Sequence, residues 1–288
     1  MIKEAFSSPP SLEQLQHSGA ILPVWKHKGQ STHQIAIQAA KKWKVKCAHT
    51  GILDPLAEGV ILLLLGPARL NRSYYTQQLK TYYTEVCVGL NTDSLDLLGI
   101  LAVPTPFSTP FHPYTSDQLH TLLSQQHHQY IGKLQQVPPS ISSIKIDGKR
   151  SQHWVKHHKK IKKLAPRSVY IKQLQLIKTW SISYQKVVQK AYQDIPLVQG
   201  VLRQEECLAS WQAHHTHGTN QHILHGFSFE ATVGAGCYIR SLMRDWLSDC
   251  GITSGIVMEL IRTSNATFTR QDCGHFFIPT DTRSINHV

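Results

Sequence analysis

The segment His49-Thr-Gly-Ile-Leu-Asp-Pro55, continuing Leu-Ala-Glu-Gly59, holds one early carboxylate, Asp54, between a leucine and a proline. Proline drives the residue before it toward extended geometry and stiffens the turn. Gly51 and Gly59 admit dihedrals or close backbone approaches that other residues do not. A carboxylate fixed in this way can serve nucleophilic or acid–base chemistry. An isolated Asp-Pro is equally an ordinary turn, so the spacing alone leaves both readings open. Residues 145–167 carry nine Lys or Arg (145, 149, 150, 156, 159, 160, 162, 163 and 167) against one acid, Asp147. Such a run either contacts phosphates or forms a solvated basic face. Histidines at 214, 215, 217, 222 and 225 invite a metal reading, but they lack nearby carboxylates or cysteines apart from Cys207 and fall in an expected loop, so no metal is expected. The six cysteines (47, 87, 207, 237, 250 and 273) form no CxxC and read as free, mostly buried thiols.

The elements that must position these groups come from a chain of 288 residues, long enough to bury a substantial core. Thirty Lys and Arg against 18 Asp and Glu leave a formal charge of +12, which attracts polyanions, nucleic acid first among them. The longest apolar run, Val60–Leu65, is far short of a membrane span. The opening MIKEAFSSPP has no apolar h-region. A cytoplasmic protein with no membrane partner is expected.

Ser31-Thr32 offers a helix N-cap, and Ile35, Ala39 and Trp43 recur every fourth residue, with Lys41, Lys42, Lys44 and Lys46 on other faces. Tyr82–Leu90 alternates as a half-buried strand. Prolines 104, 106, 110 and 113 mark a connector, and Ser116 starts a helix running to about Tyr130. Residues 168–177 read as a strand and 203–226 as a long His-rich loop. Phe227–Val233 alternates as a strand into Gly234-Ala-Gly236, and Ile239, Leu242, Met243, Trp246, Leu247 and Cys250 form a helical stripe with Arg240 beside it. Strands and helices interleave without a steady βαβ period, so α+β is expected over one domain, 1–288.

Motifs in order along the chain resemble the TruB family of pseudouridine synthases. Residues 49–69, HTGILDPLAEGVILLLLGPAR, are similar to its GHTGTLDPxATGVLxxxxGxATK. Lys80-Thr-Tyr82 fits KxY, and Gly89–Asp96 with Gly99 fits LGxxTDTxDxxG. Gln136-Val-Pro-Pro139, Ser142-Ser-Ile-Lys145 and Gly148-Lys149 resemble QxPPxYSAxKxxGK. Gly236-Cys-Tyr-Ile-Arg-Ser-Leu242 resembles GTYIRSL, and Lys26 and Gly29 fit DKPxGxTS.

The resemblance implies a pseudouridine synthase fold, a central mixed and largely antiparallel sheet flanked by helices, with 145–167 as an RNA-clamping insertion. It implies conversion of the T-loop uridine of tRNA, position 55, to pseudouridine by a monomer, without cofactor or metal. Asp54 is then the catalytic aspartate, as nucleophile or as base. Tyr82 packs on the target base, Arg240 pairs with the carboxylate, and His49 enters the T loop as the uridine flips out. Tyr238, Lys26 and Lys145 are expected to bind substrate. No C-terminal PUA domain is expected after Arg270. The chain departs from the family pattern at Trp25, His27, Glu58, Ile141 and Ala235. A tRNA-binding or tRNA-folding protein with weakened catalysis is the rival reading.

Overall fold

A computed structural model describes residues 5–6, 8–102, 114–142, 144–146, 149–150, 164–215 and 222–278. In chain order these form β1 (Ala5–Phe6), α1 (Leu12–His17), β2 (Ala20–Lys26), α2 (Thr32–Trp43), β3 (Cys47–His49), β4 (Glu58–Leu65), α3 (Arg72–Gln77), β5 (Lys80–Val88), β6 (Asn91–Thr92) and β7 (Leu101–Ala102). Then follow α4 (Ser116–Gln126), β8 (Gly132–Gln136), β9 (Lys145–Ile146), β10 (Lys149–Arg150), β11 (Arg167–Ser183), α5 (Tyr184–Asp194), α6 (Gln204–His215), β12 (Ile223–Val233), α7 (Ile239–Asp249), β13 (Gly255–Asn265), β14 (Phe268–Thr269) and β15 (Phe276–Phe277). The architecture is α+β. The chain divides into two compact units, one drawn from 1–81 with 261–288 and the other from 82–260.

In the first unit the strand order is β1-β15-β2-β4-β13, with β3 added to β4 and β14 to β13. β4 is buried almost throughout, which its unbroken run of apolar residues demands. It pairs antiparallel with β2, from Ala20↔Leu65 to Lys26↔Gly59, and parallel with β13 at Ile261↔Glu58 and Arg262↔Gly59. That parallel pair makes the sheet mixed. Gly59 has φ +127°, and a Cβ there would lie 2.3 Å from the Arg262 carbonyl oxygen. Ser31 caps α2 by accepting from the Gln34 N–H, and Lys44 closes it in the left-handed region. The face against the sheet is Thr32, Ala36 and Ala39, while Lys41, Lys42, Lys44 and Lys46 are exposed as the spacing predicted.

The second unit orders its strands β13-β5-β12-β11-β8. β5 alternates as expected, with Tyr82, Thr84 and Val86 buried. β11 and β12 are long antiparallel partners, Ile171↔Val233 to Ser183↔Ile223. Trp246 of α7 sits edge-on to both Phe227 and Phe229, at 5.5 and 5.7 Å between centroids.

One expectation needs correction here. Residues 203–226 are not one loop: 204–215 form α6, and β12 begins at Ile223. Trp211 and Cys207, wholly buried, hold that helix down, and its polar neighbours hid so short an apolar anchor. Arg240, beside the apolar stripe of α7 as expected, is 4% exposed. All six cysteines are free, three buried and three half-buried. Residues 151–163 of the basic run, and His217, lie outside the described residues. No described helix is long and apolar enough to cross a membrane.

Candidate functional site

In the first unit the Asp54 loop is tethered at both ends. The Thr50 N–H donates to Leu62 O (3.2 Å), Leu53 N–H to Thr32 Oγ1 (3.3 Å) and Ala57 N–H to Asp54 O (3.1 Å). Leu53, Leu56 and Ala57 are buried, which leaves the Asp54 side chain half-exposed on an anchored turn. A carboxylate so placed keeps access to solvent-borne substrate while its backbone is fixed.

Lys26 does much of the fixing. Its Nζ donates to the carbonyl oxygens of His27 (3.3 Å), Asp54 (3.2 Å), Pro55 (3.2 Å) and Ala57 (2.5 Å). The side chain is 0% exposed. Lys26, expected to bind substrate, thus turns its ammonium inward onto main-chain carbonyls. Its position at the end of β2, paired with Gly59, turns it beneath the loop. Burial lowers its pKa to about 8, Asp54 and Glu58 oppose that shift, and Arg262 adds to it.

Arg262 and Lys80 complete a group of buried cations. Arg262 Nε donates to Val60 O (2.6 Å). Lys80 Nζ donates to Thr76 O (2.9 Å) and Gln78 O (2.5 Å), and burial with Arg262 nearby lowers its pKa to about 8. A Cβ at Gly51 would stand 3.7 Å from Arg262 Nη1 and 3.9 Å from Lys80 Cε, so the loop lies directly on these side chains. The sequence reading missed Arg262. An arginine directly after the apolar pair Leu260-Ile261 of β13 was the available signal.

His49 ends β3 opposite Leu63, and its carbonyl accepts from Arg72 Nε at 3.0 Å. Beside it lies a cavity of about 260 Å³ lined by His33, Ile37, Cys47, His49 and Arg72, among others.

In the second unit Tyr82 opens the buried face of β5. Tyr238 is the N-cap residue of α7, and the Gln136 side chain grips its backbone twice: Tyr238 N–H donates to Gln136 Oε1 (2.8 Å), and Gln136 Nε2 donates to Tyr238 O (3.1 Å). Arg240 Nη1 donates to Ser94 O (2.6 Å) and Ile141 O (3.0 Å), and its Nε lies 3.8 Å from Asp96 Oδ2. Asp96 is itself held, accepting from Ser94 Oγ (2.5 Å) and the Leu98 N–H (3.0 Å). The departures at His27 and Ile141 thus fall where neighbours use main-chain carbonyls, which any side chain supplies. Gln136 and Asp96 stood in recognisable motifs, but their roles emerge only from these bonds. Lys145 lies in β9, paired with Arg150 of β10. Among the described residues no group of three His, Cys, Asp or Glu could hold a metal ion.

Within the first unit, then, the structure brings Lys26 onto the Asp54 turn, and within the second it seats Arg240 on Ser94, Asp96 and Ile141 and Tyr238 on Gln136.

Residues 38–191 match the family model described as TruB family pseudouridylate synthase, N-terminal domain. A tRNA pseudouridine synthase B of Staphylococcus epidermidis is 31% identical over 159 residues, 54% of this chain and 50% of that protein. The protein of the same name from Bartonella bacilliformis is 31% identical over 228 residues, 79% of this chain and 54% of its own length. The chain spans about half the length of the curated relatives it matches. A chain from the crystal structure of a Cbf5-Nop10-Gar1 complex shares the fold, with a TM-score of 0.53 and 16% identity over 94% of this chain and 60% of that one. With more than half its residues inside the family match and its motif residues anchored as described, this chain belongs to the TruB family of pseudouridylate synthases.

Proposed function

We propose that the protein isomerises a uridine in the T loop of tRNA, position 55, to pseudouridine. The observation that carries this reading is the anchored Asp54 turn: one half-exposed carboxylate on a backbone pinned by a buried ammonium, inside the residues the family model matches. The reaction breaks the C1′–N1 bond and rejoins the same base through C5, which gives up its proton while N1 takes one up, so the product is an isomer. A carboxylate serves it by attacking C1′ or by taking the 2′ proton. The uridine must first leave its stack, which costs a few kcal/mol. His49 at a strand end suits entry into the space it vacates, and Tyr82 offers the base a ring face. Tyr238 lines the path of the substrate. Arg240 supplies a fixed positive charge with a planar donor fork. Lys145 and the basic run 145–167 contact phosphates. The protein works as a cytoplasmic monomer, with no cofactor, and residues 1–288 are one catalytic domain.

The test is incubation with T-arm RNA carrying labelled uridine, in EDTA, followed by nucleoside analysis. Pseudouridine at the single T-loop position is expected. Tight binding without product would instead favour the tRNA-folding rival, and loss of activity in EDTA would indicate a metal requirement.

A further inference from the structure

The segment that holds Arg240, residues 93–101, is strained and is supported from outside. Leu95 adopts φ +64°, a left-handed conformation that costs a leucine about 1 kcal/mol or more. Gly99 packs so closely that a Cβ would lie 2.5 Å from Ser94 Oγ. Bonds from Thr92 and from β13 pin part of the turn: Thr92 Oγ1 donates to Asp96 O (2.7 Å) and Val257 N–H to Leu95 O (2.9 Å).

The rest of the support comes from one side of α6 and the residue before it. Arg203 reaches both oxygens of Asp93 (2.9 and 3.3 Å). Cys207 Sγ donates to Leu98 O (3.4 Å), Trp211 Nε1 to Leu97 O (3.2 Å), and Ser210 Oγ accepts from the Leu101 N–H (3.1 Å). Positions 203, 207, 210 and 211 fall on one helical face. Each of the four touches the segment between Asp93 and Leu101. Arg203 is itself in the left-handed region, at φ +63°. α6 also lies beyond residue 191, where the family match ends.

We propose that α6 is a positioning element for Arg240: it clamps residues 93–101 so that Ser94 O and Asp96 present a fixed seat to the guanidinium. The proposal rests on the reading of Arg240 as part of the isomerisation. None of the four side chains touches substrate. They act on the reaction only through the segment they hold.

Trp211→Phe keeps a ring in the pocket and removes the single donor to Leu97 O. Arg203→Gln removes the ion pair to Asp93 and serves as the second variant if the first does not fold. Three quantities are measured on the full chain: amide hydrogen exchange over 93–101, the single-turnover rate of pseudouridine formation, and T-arm RNA affinity. Exchange over 93–101 should quicken, the Leu98 amide included, and the rate should fall about tenfold, as small misplacements of reacting groups cause. RNA affinity and melting temperature should stay near wild type, and Gln212→Ala on the exposed face should move nothing.

Unchanged exchange overturns the proposal, as does faster exchange with an unchanged rate. A rate loss that tracks weakened affinity or a lowered melting temperature overturns it too, because that is general destabilisation. A wild-type protein that makes no pseudouridine refutes the functional reading, and this proposal with it, before any variant is compared.

Discussion

Lys26 and Asp54 divide a task that either alone would do badly. The lysine is sealed from water and bonds only to main-chain carbonyls, so it fixes where the aspartate's backbone goes and leaves the carboxylate exposed enough to react. Asp54→Asn should therefore cut turnover by at least about a thousandfold, with T-arm affinity within about threefold. Product analysis and binding on the same preparation check this. Arg240→Lys should not rescue Arg240→Ala, because one ammonium cannot reach Ser94 O and Ile141 O while also facing Asp96. Both should turn over at least about tenfold slower, with melting temperatures showing whether the fold survives.

The same burial makes Lys26 a source of pH dependence. Its folded pKa of about 8 is below the ordinary 10.5, so between those values the unfolded chain binds more protons. The destabilising contribution of Lys26, fully present below pH 8, is thus relieved as pH rises toward 10.5. Relative to Lys26→Met, the wild type should gain stability above pH 8, by at most about 1.4 kcal/mol per pH unit. Burial raises the thiol pKa values, which pulls the other way above pH 9 in both proteins and cancels in the comparison. Urea unfolding at several pH values measures the difference, and a difference independent of pH would remove the lysine from this role.

Among the elements, α2 and α7 were legible because their caps and stripes are local: Ser31 and the run from Ile239 to Leu247 each state a helix within about a dozen residues. The α6 helix was not, since its two buried anchors, Cys207 and Trp211, sit among glutamines and histidines that read as loop. The acceptors that hold Arg240 were not legible either, because they are main-chain carbonyls about a hundred residues or more away, which no side-chain pattern announces. The parallel pairing of β4 with β13 illustrates the same limit, its Arg262–Val60 bond joining residues 202 positions apart. Gly59 is where that pairing is most exposed to change. Gly59→Ala would thrust a methyl group into the Arg262 main chain and should cost about 3 kcal/mol or more of unfolding free energy, read from urea denaturation.

For the whole molecule, +12 is a statement about kinetics and salt rather than fold. Affinity for tRNA should fall steeply as ionic strength rises. Replacing Lys159, Lys160, Lys162 and Lys163 with Gln should flatten the log–log slope by up to about 0.9 for each duplex phosphate left without a cation. An unchanged slope would mark these four as ordinary solvated charges. The α+β class and the loop–strand–helix positions of Asp54, Tyr82 and Arg240 were readable from motif order. What was not readable was the supporting polar structure of Lys26, Arg262 and Gln136, whose main-chain partners include residues 28, 202 and 102 positions away.

The first unit is stitched from both ends of the described chain, and that has a consequence in time. A ribosome releases the Asp54 loop early, yet Arg262, which bonds Val60 beneath it, and β15, which pairs with β2, arrive some two hundred residues later. At about 5–20 residues per second, the loop waits on the order of ten seconds or more for its backing. The second unit, continuous from 82 to 260, has no such wait. Nascent chains stalled before Arg262 emerges should therefore be cut by protease around residues 50–58, and chains released after Phe277 should resist it. The Asp54 turn would then be among the last parts of the protein to mature, although it is among the first to be made.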